Sequence, residues 1–155
     1  MSLRGGTESL RRLLEEKGVW HRLYEFPEHT ATVEAAVKQL GVDPGRIVKT
    51  LVLVDEEGKP LAAIIPGNKR LSLDKLSSIT GRKLRLARAR EVEKATGYPV
   101  GAVPPVGHGL KTYVDREVLN RETVIGGGGS THSLLELKTR DLLALTQPVV
   151  SDIAE

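Results

Sequence analysis

The sequence predicts an α+β domain built on a mixed sheet. Three observations carry that reading. In Arg46–Val54, seven of nine residues are aliphatic or β-branched, which suits a central strand buried on both faces. Short stretches with helical spacing of leucine, valine and alanine alternate along the chain with strand-like stretches. Glycine and proline punctuate nearly every junction.

The elements follow in order. Met1 to Gly6 read as a flexible leader. Thr7 is placed to cap a helix with Leu10, Leu13 and Leu14 on one face, ending near Gly18. Val19 to Phe26 reads as a strand stopped by Pro27. After the polar loop 28–32, Thr32 caps a helix carrying Val33, Ala36, Val37 and Leu40, and Gly41 stops it. Asp43-Pro44-Gly45 turns into the strand 46–54. Residues 56–59 form a hairpin turn, and 61–65 are the return strand. Ser72 or Asp74 starts a helix that runs to Gly81. Lys83-Leu84-Arg85-Leu86 alternates charge with leucine, as in a strand with one wet face. Residues 90–96 form a helix stopped by Gly97. Tyr98 to Gly109 is a long loop of prolines and small residues. Short strands at 112–115 and 123–125 precede Gly126–Gly129. A last strand, 133–137, leads to a helix capped by Thr139, and Pro148 begins a tail. No repeat or linker divides the chain, so residues 1–155 are expected to form a single domain.

Composition narrows the chemistry. The 155 residues include no cysteine, which excludes disulfides, a thiolate nucleophile and a Cys-ligated metal. No apolar run reaches the ~20 residues that span a bilayer. No signal segment opens the chain, so a soluble cytoplasmic protein is expected. A net charge of +3 permits a polyanionic partner without requiring one. There is no phosphate-binding G-x-x-x-x-G-K-[ST] loop and no G-x-S-x-G elbow. His21, His29, His108 and His132 do not fall at metal-ligand spacings. No metal or cofactor is expected.

Four features remain open on residue chemistry alone. Lys49 interrupts an apolar strand; it either snorkels to solvent or holds an anion or a carbonyl oxygen. Gly126–Gly129 are either a flexible connection or a close approach of backbone to a ligand. The 101–109 loop, stiffened by prolines, is either a rigid corner or a fixed ligand surface. The cations Lys69, Arg70, Arg82, Lys83, Arg85, Arg88 and Arg90 are either a solvated face or a phosphate-tracking patch.

Taken together, Thr32-Val33-Glu34-Ala35-Ala36, Ile47-Val48-Lys49-Thr50, Thr96-Gly97-Tyr98, Gly101-Ala102-Val103-Pro104-Pro105-Val106-Gly107, Asp115 and the glycine-rich stretch before Leu135-Glu136-Leu137 resemble one family. It is that of the YbaK-like aminoacyl-tRNA deacylases, which includes the editing domain of bacterial prolyl-tRNA synthetases. The resemblance runs from about Tyr24 to Ile153. It implies a mixed, partly barrel-like sheet with surrounding helices, and hydrolysis of amino acids wrongly esterified to tRNA. Lys49 matches the family's key lysine and is the candidate catalytic residue. Gly101 and Pro105 match its G-x-x-x-P loop, with Ala102, Val103 and Gly107 in the same stretch. Tyr24 and Thr50 match pocket positions. Gly127, Gly128, Gly129 and His132 complete the expected substrate-binding set. Ser130-Thr131-His132-Ser133 departs from the family's Gly-x-Arg-Gly-like segment, which bears on one expected pocket wall and on the amino acid removed.

The expected function is a free-standing editing hydrolase acting on aminoacylated tRNA, with alanyl or cysteinyl tRNA-Pro as substrate. A synthetase is a second candidate partner. The alternatives are a catalytically silent module that binds tRNA or a synthetase, and a hydrolase of small esters. An aminoacyl ester is already activated, so a positioned lysine and backbone N–H groups suffice to hold it and its oxyanion.

Overall fold

The computed structural model describes residues 6–155; most of the expected leader lies outside the described residues. Gly6 already opens the first helix, α1 (Gly6–Lys17). Leu10 and Leu14, one turn apart, are fully buried, as the leucine spacing predicts. Thr7 does not cap this helix. Its hydroxyl donates to the Gly128 carbonyl at 3.0 Å and so ties α1 to the glycine-rich stretch.

The expected single sheet is two sheets, and neither closes into a barrel. The first is antiparallel, with β1 (His21–Glu25), β7 (Ser133–Lys138) and β6 (Thr123–Gly127) in the order β1-β7-β6. The second has the order β4-β2-β3-β5-β8. Its centre is the hairpin of β2 (Val48–Val54) and β3 (Pro60–Pro66). β4 (Arg85–Leu86) is antiparallel to β2. β5 (Thr112–Asp115) runs parallel to β3, and β8 (Val149–Ser151) parallel to β5. β8 occupies the stretch expected as a tail. A bridge between Ile47 and Ile125 joins the two sheets.

Four further helices cover them: α2 (Val33–Leu40), α3 (Leu73–Thr80), α4 (Ala89–Thr96) and α5 (Thr139–Thr146). The local signals for their ends act as expected. Thr32 accepts from the Ala35 N–H, and Ser72 from the Lys75 N–H. Gly41, Gly81 and Gly97 end three of the helices in the left-handed conformation. Thr139 is the exception. It lies inside α5, and its hydroxyl donates to the Arg121 carbonyl at 2.6 Å. Among the described residues no helix is long and apolar enough to cross a membrane.

The core follows from these layers. Leu10, Leu14, Val48, Ile64, Val114, Leu135, Leu137 and Leu142 form one apolar cluster between α1, α5 and both sheets. Leu53, Leu61, Ile65, Leu76 and Ile153 form another beneath α3. Each fully buried leucine or isoleucine stabilises the fold by about 1.5–3 kcal/mol relative to exposure. Asp115 is buried and fastens the end of the chain. One carboxylate oxygen accepts the N–H groups of Ile153 and Ala154 at 2.9 and 3.0 Å, and the other accepts that of Glu117.

One detail of the second sheet makes room for a site. β4 pairs only with Leu53 and Val54, so it covers the end of β2 and leaves its beginning open on that side.

Candidate active site

A cavity of about 430 Å³ fills the gap beside the open edge of β2. Its floor is Val48, Lys49, Thr50, Leu51 and Val52 of β2. The start of α2, with Thr30 to Glu34 and Ala36, forms one wall. Val100, Gly101 and Val103 of the long loop form another, against Gly126 and Gly127 of β6. Leu86, Ala87 and Val92 close the far side. The lining is mainly apolar, with a few convergent polar groups, as ligand sites generally are.

Two close approaches shape the loop wall. Gly101 has φ +82°, a conformation that disfavours side chains, and a Cβ there would stand 2.8 Å from the Ala31 carbonyl oxygen. A Cβ on Gly127 would strike the Val103 carbonyl oxygen and stand 2.9 Å from both the carbon and the oxygen of the Ala102 carbonyl. The absence of side chains at 101 and 127 therefore lets the loop lie flat on β6 and on the 30–32 segment. Ala102 itself is fully buried, and its carbonyl accepts the Gly129 N–H at 3.0 Å. The glycine stretch is thus not a slack connection, and its Gly126 and Gly127 line the cavity. It is a packed seam.

Lys49 stands half-buried in the floor. Its ammonium donates to the Lys69 carbonyl at 2.7 Å, which leaves two of its three N–H donors for another partner. Burial lowers its pKa, the nearby Arg70 charge lowers it further, and the Glu34 carboxylate opposes both. Beside it, the Thr50 hydroxyl oxygen is buried with no hydrogen-bond partner. An unsatisfied buried hydroxyl is unfavourable unless a ligand or water meets it. The other threonines of the lining are engaged. Thr30 donates to the Ser133 carbonyl, and Thr32 caps α2.

The far wall is held by charge. Arg85 makes a two-pronged contact with Glu91 at 2.8 and 2.9 Å, and Glu91 also accepts the Arg88 N–H. The Arg85 guanidinium, with that backbone bond, holds the Glu91 carboxyl at about 2. Leu86 and Val100 stand at the rim and are 53% and 56% exposed. The expectation of an inward-facing leucine in this stretch holds for Leu84, just before β4, and fails for Leu86, which stands at the cavity mouth.

Of the residues singled out from the sequence, Lys49, Thr50, Gly101, Val103 and Gly127 meet in this cavity. The others lie around it. Tyr24 donates to Glu136 at 2.7 Å, in a polar network that Arg46 and Thr123 complete. Ala102, Pro105 and Gly129 support the loop from behind; Pro105 packs on Gly126. Gly107 lies over Leu13 of α1. Gly128 donates to the Ser133 carbonyl. His132 is exposed on the turn, beside Thr131. The Ser130–Ser133 turn contributes nothing to the lining. Its hydroxyls bond each other at 2.8 Å, and Ser133 meets Thr7 of α1. Sequence reasoning passed over Glu34, Thr30 and Leu86. For Glu34 a signal existed: it is the acid in the first turn of a helix whose Thr32 cap was legible.

Fold and cavity together define a small α+β domain with a preformed, mainly apolar site that offers one ammonium and no serine, cysteine or histidine nucleophile in its lining. The chain belongs to the aminoacyl-tRNA editing domain family, whose model matches residues 27–145. An Enterococcus faecalis protein named for a Cys-tRNA(Pro)/Cys-tRNA(Cys) deacylase is 33% identical over 147 residues, which span 92% of this chain and 90% of that protein. The proline–tRNA ligase of Solidesulfovibrio magneticus is 38% identical over 109 residues, covering 68% of this chain and 19% of the ligase. A crystal structure named for a trans-editing enzyme for prolyl-tRNA synthetase matches with a TM-score of 0.88 at 36% identity, over 99% of both chains.

Proposed function

We propose that this protein hydrolyses the ester bond of tRNA wrongly charged with a small amino acid, acting free of the synthetase, with alanyl or cysteinyl tRNA-Pro as its substrate. The observation that carries this reading is the cavity itself: one lysine and one unpartnered hydroxyl in an apolar, rigidly walled space. That is what an activated ester needs. Water attacks the carbonyl carbon, and the carbonyl electrons move onto oxygen. The intermediate then collapses, breaking the bond to the ribose oxygen, which takes a proton as it leaves. Lys49 can hold the carbonyl oxygen, or the neighbouring phosphate, with the two N–H groups it has to spare. The Thr50 hydroxyl can meet the same oxygen or the attacking water. Preorganised donors of this kind lower the barrier because they need no rearrangement as charge develops.

The walls favour a small acyl group. Val103 and Gly127 belong to packed backbone that cannot retreat without disturbing the seam. A pocket discriminates single methylenes by only about 1–3 kcal/mol, whereas a clash with fixed backbone rejects more strongly.

The test is single-turnover deacylation of alanyl-, cysteinyl-, seryl- and threonyl-tRNAs, with Lys49→Ala beside the parent. The expected result is cleavage of a small aminoacyl group and a loss on the order of 10²-fold or more in the variant. Its melting temperature should hold or rise, because burial already disfavours the Lys49 charge. Turnover at the parental rate by Lys49→Ala would remove the lysine from the mechanism. Binding of charged tRNA without cleavage of any would favour a silent module.

A further inference from the structure

The cavity lining contains one carboxylate, Glu34, and one cation, Lys49. They enter from different elements. Lys49 rises from β2, whereas Glu34 sits in the first turn of α2, where the Thr32 cap fixes the backbone. The Glu34 charge influences Lys49, yet among the described residues neither side chain takes part in an ion pair. An exposed acid and a half-buried ammonium that line one mainly apolar cavity without pairing match a ligand with two charged or polar ends.

We infer that Glu34 binds the free α-ammonium group of the aminoacyl ester and makes the site specific for unblocked α-amino acyl groups. This rests on the deacylase reading above. In an aminoacyl ester the ammonium nitrogen is separated from the carbonyl carbon by one carbon atom. With the carbonyl oxygen or phosphate at Lys49, the ammonium must lie elsewhere in the same cavity, and Glu34 is the one anion available to it. A second consequence concerns what is refused. An N-acylated aminoacyl ester or a hydroxyacyl ester has no ammonium to offer. Either would leave Glu34 facing an uncharged group, which forfeits a charge-assisted hydrogen bond. The site would thereby select by charge as well as by size.

An acid in the first turn of a helix also complements the helix dipole, so loss of stability alone would not distinguish the two roles. The discriminating readout is a ratio between two ligands. The probes are 3′-alanylamino-3′-deoxyadenosine, in which an amide replaces the ester, and its lactyl counterpart, in which a hydroxyl replaces the ammonium. Each is titrated into the intact protein and followed by chemical-shift changes, for the parent and for Glu34→Gln, with thermal melts in parallel. The parent should bind the alanyl compound about tenfold or more tighter than the lactyl one, since hydrogen bonds to charged groups are the stronger kind. In Glu34→Gln the ratio should fall to within about twofold, mainly through weaker binding of the alanyl compound. An unchanged ratio in Glu34→Gln, in a protein that melts like the parent, overturns the assignment and leaves the deacylase reading standing. A parent that binds neither compound and deacylates no tRNA in the panel overturns both.

Discussion

Gly127→Ala tests whether the packed seam holds the site in shape. A Cβ at this position would strike the Val103 carbonyl oxygen and stand 2.9 Å from both atoms of the Ala102 carbonyl. Ordinary contacts begin at 3.4 Å, so the Ala102 carbonyl must retreat by about half an ångström, and Val103 by more. Neither neighbour is a flexible side chain that can turn aside. The retreat also stretches the bond from the Gly129 N–H to the Ala102 carbonyl, now 3.0 Å. Overpacking of this kind costs about 1–3 kcal/mol, and a weakened backbone hydrogen bond adds up to about 1 kcal/mol. Against this, alanine restricts the unfolded chain and returns about 0.4–1 kcal/mol. The net expectation is about 2 kcal/mol of destabilisation, which for a chain of this size lowers the melting temperature by about 4–8 °C. The functional effect should exceed the stability effect. Gly101 and Val103 line the cavity, and displacing a positioned wall by up to about 1 Å can cost about 10²-fold in rate. The assays are a thermal melt and single-turnover deacylation below the variant's melting range. A variant that melts and cleaves like the parent would refute the claim that close backbone packing shapes this wall.

Two other outcomes are expected. His108 is 5% exposed, and its Nδ1 accepts the Leu110 N–H at 3.1 Å, which leaves the ring proton on the buried Nε2, where the Pro105 carbonyl opposes the effect of burial only in part. Burial, the main influence on it, holds its pKa at about 4, against 6.5 ordinarily. The folded state therefore refuses a proton that the unfolded chain accepts, and stability falls as pH drops from about 6.5 to about 4, by up to about 3 kcal/mol. Urea midpoints measured across that window should show the loss in the parent and much less in His108→Asn; equal slopes would exonerate the histidine. Binding of uncharged tRNA should be weak and should fall steeply between about 50 and about 200 mM salt, because phosphate contacts release counterions. The lining offers no aromatic ring for a base to stack on, so tight, salt-indifferent binding would show that recognition rests on something other than charge.

Much of the fold was legible because its signals are local. Thr32 and Gly41 bound α2, Ser72 and Gly81 bound α3, and Gly97 ends α4, each through hydrogen bonds or backbone angles set within a turn of the residue concerned. What escaped is non-local. The division into two sheets depends on β1 pairing with β7, and alternation within a strand says nothing about its partner. β8 is three residues long, follows a proline, and leaves Val149 and Val150 partly exposed; only its parallel pairing with β5 makes it a strand. Thr139 looks like a cap in sequence, yet a carbonyl from a distant turn takes its hydroxyl. The site divides in the same way. The family likeness points to Lys49, Thr50 and the loop glycines. It does not say that the Ser130–Ser133 turn spends its hydroxyls on α1 and on itself, or that Glu34 lines the same cavity as the lysine.

The seam between the sheets also governs when a site can exist during synthesis. Lys49 emerges early, but the walls opposite it, Gly126, Gly127 and Leu134, come from the last third of the chain. His21 must find Leu137 and Ile47 must find Ile125 before the cavity has sides. Such distant pairings are slow to form, because the chain must close long loops before any contact rewards it. A ribosome-bound fragment that lacks the last strands therefore carries the lysine without its enclosure. Enclosure of the lysine waits on the docking of β6 and β7.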